Sequence, residues 1–270
     1  MSRRIAVVGS TGRLGGPVAD LLEAKDIEVV RIARSQGVDV ITGAGLDQAL
    51  AGASVAIDVT SGRSGDQQAA ADFFTTATRN VQAAAERAGV GKIVLVSIIG
   101  VDRYTVGYSA ANLVHEQVGL AGPVPTTILR AAQFHEFVPQ LMEWGTHGGV
   151  TYVAKMRTQL VAAREVARVV VDLALADGSE VDGMIREVAG PQEERLADMA
   201  RLFADRTGWE TTIQEVDDPT DPEGLGAAGA LLPGPGAVLG GPTFPAWVDD
   251  FVAYPDLAAR VRGRLDSART

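Results

Sequence analysis

Cysteine is absent from this chain of 270 residues. A chain without cysteine forms no disulfide bond, offers no thiolate to a metal ion and has no cysteine nucleophile. Histidine is scarce as well, and the three that occur, His115, His135 and His147, lack carboxylates at the spacing that metal sites use. The sequence therefore predicts no metal site.

Basic clusters and long apolar runs are also lacking. The formal net charge is -10 at pH 7, so we expect no nucleic-acid partner, because a phosphate backbone binds basic surfaces. No apolar run approaches the roughly 18 residues that a membrane-spanning helix needs. Arg3 and Arg4 lead directly into a short strand pattern and not into the apolar region of a signal peptide. We expect a soluble, cytoplasmic protein without a membrane partner.

The first half of the chain alternates two patterns. Short apolar runs without polar alternation predict strands buried on both faces, and apolar residues at steps of three and four predict helices between them. The predicted strands are Ile5–Val8, Val29–Ala33, Val55–Val59, Ile93–Ile99 and Thr127–Leu129, and the predicted helices are Leu14–Lys25, Leu46–Ala51, Asp66–Ala88 and Ser109–Ala121. This order predicts an α/β fold with a doubly wound parallel sheet.

The second half is less regular. Helices are predicted over Glu165–Leu175 and Leu196–Thr207, and an extended segment over Met184–Val188. Residues 219–245 are rich in glycine, proline and alanine, which is typical of a loop or lid and not of a core element. A last amphipathic segment is expected to begin near Pro245.

The segment "IAVVGSTGRLGG" places three glycines between a predicted strand and a predicted helix. Glycine permits a tight turn and lets the backbone approach a pyrophosphate, while the helix directs free N–H groups and its positive dipole end at the phosphates. The segment therefore predicts a dinucleotide site, although a strand–helix turn without a ligand is the alternative. The predicted binding residues are Gly9, Thr11, Gly12, Arg13, Leu14 and Gly15.

The end of the second strand indicates which dinucleotide binds. An NAD site usually has an Asp or Glu there to hold the ribose 2′-hydroxyl, but the sequence reads "VVRIARSQ", and Glu28 precedes it at the start of the strand. Arg34 and Ser35 stand at the strand end instead. A guanidinium presents a planar fork of donors that suits a 2′-phosphate, and Arg13 could approach the same group. We therefore favour NADP(H) over NAD(H), with a solvated arginine as the alternative.

The ends of the later strands are expected at the same edge of the sheet, facing the same crevice. "DVTSG" contributes Val59, Thr60 and Ser61 as cofactor-binding candidates on the nicotinamide side. "VSIIG" and "LRAAQFHEF" stand at the ends of the next two strands. Small residues that close a strand without binding a ligand are the alternative for each.

Taken in order, the motifs "GSTGRLG", "DVT", "LVSIIGVD", "GYSAANL" and "ILRAAQFHEF" resemble the atypical short-chain dehydrogenase/reductase superfamily, in its NmrA-like, NAD(P)H-binding branch. The similarity covers about the first 140 residues well and the rest more loosely. It implies a Rossmann-like core over residues 1–190, with 134–158 contributing to the pocket, and a small C-terminal α+β part over 191–270 that caps the substrate.

The resemblance also implies a Ser–Tyr–Lys group, in which serine orients a carbonyl, tyrosine supplies a proton and lysine lowers the tyrosine pKa. Ser97 and Tyr108 match the first two, but the lysine position holds Asn112. A free tyrosine titrates near pH 10, and a neutral amide supplies no charge to lower that value. His115 lies seven residues after Tyr108 on the same helix face. It is either a source of partial positive charge or a packed or solvated histidine.

The segment after the fifth predicted strand contains three candidates to face the substrate, which are Gln133, Phe134 and His135. The alternative is that His135 or Glu136 caps the helix that follows.

The leading hypothesis is an NADPH-dependent oxidoreductase that transfers hydride to a small planar acceptor, such as a quinone or polycyclic aromatic ketone. The alternative is a catalytically weak NADP(H)-binding redox sensor acting through a protein partner, which the missing lysine favours. A sugar-nucleotide epimerase or dehydratase is the third option. The sequence leaves open whether the chain forms a homodimer.

Overall fold

The computed structural model of the protein describes residues 3–62, 66–176 and 184–254. Twelve strands lie in this part of the chain: β1 (Arg4–Val8), β2 (Glu28–Ile32), β3 (Val55–Asp58), β4 (Lys92–Ile98), β5 (Thr126–Ala131), β6 (Thr146–His147), β7 (Val150–Ala154), β8 (Arg157–Thr158), β9 (Ile185–Ala189), β10 (Glu194–Arg195), β11 (Thr212–Val216) and β12 (Val238–Leu239).

Nine α-helices lie in the same described residues: α1 (Gly15–Glu23), α2 (Leu46–Leu50), α3 (Gln67–Ala88), α4 (Gly107–Leu120), α5 (Phe137–Gly145), α6 (Ala163–Leu175), α7 (Leu196–Thr207), α8 (Leu225–Ala228) and α9 (Phe244–Ala253). None of them combines the length and the apolar character that crossing a membrane requires.

Seven strands form one parallel sheet in the order β12-β9-β5-β4-β3-β1-β2. Strands β1 to β5 coincide with the apolar runs of the sequence, because such runs suit strands covered on both faces. All four residues of β3 and all six of β5 are buried. The predicted Rossmann-like, doubly wound α/β fold is confirmed.

The strand register places several strand ends at one edge of the sheet. Val8 of β1 is aligned with Ile32 of β2 and with Asp58 of β3, and Asp58 is aligned with Leu95 of β4. The segments that follow β1, β2 and β3 therefore emerge side by side. Ser97 lies two residues beyond Leu95, so it is also near the carboxyl end of its strand.

Helix α3 shows how local sequence sets the boundaries of an element. Asp66 accepts a hydrogen bond from the main-chain N–H of Ala69 and so caps the first turn. Gly89 ends the helix in the left-handed conformation, with φ of 72°. Its buried stripe includes Ala70, Phe74 and Val81, which recur at helical spacing. The predicted helix over Asp66–Ala88 is confirmed to within its capping residue.

The contacts divide the chain into two compact units. The first comprises Met1–Arg130 and Val166–Arg186, and the second comprises Ala131–Glu165 and Glu187–Thr270. The second unit has a buried apolar cluster built from α5, α7 and α9, with Met142, Phe203 and Trp247 among its members. The predicted domain boundary between residues 190 and 191 stays a prediction, but residues 131–165 group with the later part of the chain.

The segment 219–245 is more ordered than its composition indicates. It contains helix α8 and strand β12. The two residues of β12, Val238 and Leu239, pair in parallel with β9 in the main sheet. The prediction of a loop or lid was wrong for these two residues, which form an edge strand and are not part of the core. A strand of two residues carries no readable periodicity, so its pairing partner decides its structure.

Candidate functional site

The glycine turn after β1 is too tightly packed for side chains at two positions. Gly9 has φ of +85°, and a Cβ there would lie 3.0 Å from the carbonyl oxygen of Val59. A Cβ on Gly15 would lie 2.2 Å from the carbonyl oxygen of Gly9, which no side chain allows. Glycine is therefore required where the strand passes into α1, as a close helix–strand approach at a phosphate site demands.

The N-terminus of α1 is open to an anion. Its N-cap residue, Leu14, makes no side-chain capping hydrogen bond, and the first turn of this described helix has no acidic residue. The first N–H groups of a helix lack intrahelical acceptors and carry the positive end of the dipole. Thr11 and Gly12 are exposed beside this end, and Arg13 is half-buried. The arrangement fits a diphosphate.

The end of β2 lies against this turn. The N–H groups of Gly9 and Ser10 both donate to the carbonyl oxygen of Ile32, at 2.9 and 3.2 Å. Arg34 and Ser35 follow in a short 3-10 turn and are exposed. Glu28, at the opposite end of the strand, forms an ion pair with Arg4 at 3.1 Å.

The turn after β3 is fixed by its own aspartate. One carboxylate oxygen of Asp58, Oδ1, accepts from the main-chain N–H of Thr60 at 3.0 Å and from its hydroxyl at 2.7 Å. The N–H of Val59 donates to the carbonyl oxygen of Val8 at 3.0 Å. Val59 and Thr60 are half-buried and Ser61 is exposed. This predicted nicotinamide-side segment is therefore held beside the glycine turn.

Ser97 on β4 has an unusual environment. Its side chain is buried, and its Oγ has no hydrogen-bond partner among the described residues. Buried hydroxyls are normally hydrogen-bonded, because leaving one unpaired costs free energy. An unpaired hydroxyl near the carboxyl end of a central strand is therefore typical of a group that binds a ligand.

Tyr108 is the second residue of α4, the helix that packs on β4 and on α3. Its ring lies 6.0 Å from the ring of Phe74, centroid to centroid. Burial raises the pKa of Tyr108, and a side-chain hydrogen bond with Asn112 offsets this only in part. The phenol is therefore protonated at neutral pH, as the absence of a neighbouring ammonium predicts.

Asn112 does not replace a lysine electrostatically. Its side chain is buried, and Nδ2 donates to the main-chain carbonyl oxygen of Tyr108 at 3.0 Å. The amide thus satisfies a carbonyl of its own helix, one turn earlier. It holds no charge that could favour the phenolate of Tyr108.

His115 is paired with a carboxylate. Its Nε2 lies 3.5 Å from Oδ2 of Asp58, and the two side chains are 0% and 1% exposed. Its ring is stacked on Phe74, with centroids 4.6 Å apart. Burial alone would raise the pKa of Asp58, but hydrogen bonds and charge from His115 and Thr60 outweigh it and hold that pKa below its ordinary value.

Sequence reasoning missed this pair, because it treated His115 as a neighbour of Tyr108 and Asp58 as a strand end. One signal was present. An aspartate that closes a wholly apolar strand is buried by its position and therefore requires a partner.

The three predicted substrate residues lie in the second unit. Gln133 is half-buried, and its Oε1 accepts from the Thr158 hydroxyl at 2.6 Å. Phe134 is half-buried and pairs with Val161 in an isolated β-bridge. Their contact with a substrate stays a prediction.

His135 lies in the core of the second unit and is 0% exposed. Its Nε2 lies 3.1 Å from the carbonyl oxygen of Leu160, and its ring packs edge-on against Phe244 and Trp247. Burial lowers the pKa of His135 to about 4. These contacts favour a neutral packing residue over a substrate ligand.

Glu136 caps a different helix from the one expected. Its side chain makes no capping hydrogen bond with α5, but Oε2 accepts from the N–H of Ala163, the first residue of α6, at 3.2 Å. The alternative that His135 or Glu136 caps the following helix therefore does not hold for Glu136. In the ranges 3–62, 66–176 and 184–254, no group of three or more histidines and carboxylates is placed to hold a metal ion.

No protein-family model matches the sequence, and no curated protein sequence matches it significantly. Solved structures with a similar fold include a short-chain dehydrogenase/reductase superfamily protein from Agrobacterium tumefaciens with bound NAD, which is 18% identical, with a TM-score of 0.62 over 99% of each chain.

The enzyme WbmH from Bordetella bronchiseptica, in complex with NAD+, is 15% identical, with a TM-score of 0.69 over 94% of this chain and 99% of its own. UDP-N-acetylglucosamine 4-epimerase from Bacillus cereus is also 15% identical, with a TM-score of 0.64 over 93% and 98%. At these identities the similarity concerns the fold alone. The chain has the Rossmann-like fold found in the short-chain dehydrogenase/reductase superfamily.

Proposed function

We propose that this protein is an NAD(P)H-dependent reductase of the short-chain dehydrogenase/reductase type, in its NmrA-like branch, that acts on a small planar acceptor such as a quinone or polycyclic aromatic ketone. The observation that carries the proposal is the buried hydroxyl of Ser97, which has no hydrogen-bond partner in the part of the chain that the structure describes. It lies near the carboxyl end of β4, on which the helix of Tyr108 packs, in the same compact unit as the glycine turn.

The residues of the first unit fit a nicotinamide dinucleotide. The close approach of Gly15 to Gly9 and the open N-terminus of α1 suit the diphosphate. Arg34 and Ser35 would contact the adenosine ribose, and residues 59–61 the nicotinamide side. Arg34 is exposed at a strand end without a carboxylate, which favours a 2′-phosphate and hence NADPH. A bound dinucleotide supplies the hydride.

The side chains then determine which acceptor is suitable. Ser97 would donate a hydrogen bond to the acceptor oxygen. Tyr108 is a neutral phenol with a raised pKa, so it can donate a proton but is a weak acid. A simple ketone becomes a strongly basic alkoxide and needs that proton in the transition state. A quinone becomes a stabilised hydroquinone anion that can be protonated later. The site therefore suits an easily reduced acceptor.

A sugar-nucleotide epimerase or dehydratase is the second candidate, because the similar structures include a UDP-N-acetylglucosamine 4-epimerase and a UDP-glucose 4-epimerase. Such chemistry begins with removal of a hydroxyl proton, for which a phenolate is the suitable base. The raised pKa of Tyr108 and the neutral Asn112 count against it. A redox sensor acting through a protein partner is the third candidate, since the same two features suit binding without turnover.

The test measures binding and oxidation of NADPH and NADH with quinones, aliphatic ketones and UDP-sugars. We expect quinone turnover with NADPH, at least tenfold lower turnover of aliphatic ketones and no conversion of UDP-sugars. Tight binding without turnover of any acceptor would favour the sensor, and conversion of UDP-sugars would favour the epimerase. Arg34→Ala should weaken NADPH binding by about tenfold and leave NADH unchanged, since a lost charge-assisted hydrogen bond is worth about 1.5 kcal/mol.

A further inference from the structure

The carboxylate of Asp58 uses its two oxygens for two different parts of the first unit. Oδ1 accepts both hydrogen bonds from Thr60 and so shapes the turn after β3. Oδ2 faces Nε2 of His115 on α4 at 3.5 Å. One side chain therefore contacts both the predicted nicotinamide-side turn and the helix of the predicted proton donor.

The imidazole of His115 is held in a defined orientation. It stacks on Phe74 with an interplanar angle of 16°, and the ring of Tyr108 also packs against Phe74. His115 and Tyr108 are seven residues apart, two turns of the same helix. If the Asp58 carboxylate shifts and His115 moves with it, the displacement would therefore reach Tyr108 through α4 and through the shared contact with Phe74.

A buried pair of a carboxylate and an imidazole at this place is costly if it serves packing alone. Desolvation of two ionisable groups opposes folding, and apolar residues of similar volume are often as stabilising. In some proteins such pairs specify one arrangement of the elements that they join. Here the joined elements are the turn that follows β3 and the helix that carries Tyr108 and Asn112.

We propose that Asp58 and His115 form a positioning pair that couples the dinucleotide turn after β3 to helix α4, so that a dinucleotide bound at Val59–Ser61 fixes the position of Tyr108. This inference rests on the proposed binding of a nicotinamide dinucleotide. It does not require turnover, so it applies equally to a reductase and to a sensor.

The experiment measures hydrogen exchange of the peptides that cover Val59–Ser61 and Gly107–Leu120, with and without saturating NADPH. The wild type is compared with His115→Phe, which retains an aromatic ring against Phe74 but removes the hydrogen bond. His115→Gln retains a side-chain N–H donor and tests rescue. Val81→Ala, which truncates a buried side chain of α3 in the apolar cluster with Ile32 and Ala84, controls for lost stability.

In the wild type we expect NADPH to slow exchange in both peptides. In His115→Phe the slowing should persist at Val59–Ser61 and disappear in α4, with kcat lower by about 100-fold and KM for NADPH changed far less, because small misplacements of catalytic groups cost rates of this size. His115→Gln should recover part of both effects, and Val81→Ala should behave as the wild type.

The double variant Asp58→Asn/His115→Phe removes the buried charge and keeps the test decisive if His115→Phe alone does not fold. It should also lose the NADPH effect on α4. An NADPH effect on α4 that survives in these variants, or that is lost equally in Val81→Ala, overturns the coupling while dinucleotide binding stands. A wild type that binds neither NADPH nor NADH overturns the proposed function and the coupling together.

Discussion

Two histidines, one in each compact unit, are completely buried but have opposite surroundings. His115 faces the Asp58 carboxylate, whose pKa is held low. His135 meets a main-chain carbonyl and two aromatic rings, and burial lowers its own pKa to about 4. Burial alone therefore says little about what a histidine does. The partner decides whether the site holds charge or excludes it.

Replacing each histidine by phenylalanine should show this difference most strongly. His115→Phe removes one partner of a buried pair and should lower the free energy of unfolding by about 3–5 kcal/mol. His135→Phe loses one hydrogen bond to Leu160 in an aromatic environment and should cost about 1 kcal/mol. Urea unfolding at pH 7 measures both. Equal losses would mean that the two environments are energetically alike.

The free energy of unfolding should decrease at acidic pH because of His135 in the second unit. The pKa of His135 is about 4 in the folded state, against 6.5 for the free group. The unfolded chain therefore takes up the proton first, and the free energy of unfolding should fall by about 2–3 kcal/mol as the pH drops from 6.5 to 4. His135→Phe should be flatter over this range than the wild type. His147→Phe, at an exposed position, is the control.

Glu194, which like His135 has a hydrogen bond with the main chain of Leu160, should change stability in the opposite direction. Its Oε2 accepts from the N–H of Leu160, and burial raises its pKa to about 7 from 4.5. The folded state thus prefers the protonated acid, and the free energy of unfolding should fall as the pH rises from 4.5 to 7. Because the group is partly exposed, we expect about 1–2 kcal/mol. Glu194→Gln should remove this loss, and a variant that melts like the wild type at pH 8 would contradict it.

The smallest expected effect on stability concerns Ser97 in the first unit. Ser97→Ala removes a buried hydroxyl without a partner among the described residues, so the free energy of unfolding should stay the same or rise by up to about 1 kcal/mol. Turnover should fall by about 100-fold if the hydroxyl binds the acceptor oxygen. Thermal melting and initial rates give the two values. A clear loss of stability would show that Ser97 is structural.

Much of the fold could be predicted because its causes are local. The apolar runs of β1, β3 and β4, the Asp66 cap and the Gly89 stop of α3 act within a few residues. β12 could not be predicted, since its two residues are ordered by pairing with β9. The same limit applied to Glu136, whose capping partner Ala163 is 27 residues away.

The sequence by itself determined the alternating strand–helix order, the glycine turn and the neutral residue at position 112, because composition and spacing along the chain are sufficient for each. The tertiary structure alone decided that Asp58 meets His115, 57 residues later, and that the Ser97 hydroxyl has no partner within residues 3–62, 66–176 and 184–254. Both outcomes depend on which strands are neighbours and which helix face covers them. Those are long-range packing choices, and local sequence patterns do not encode them.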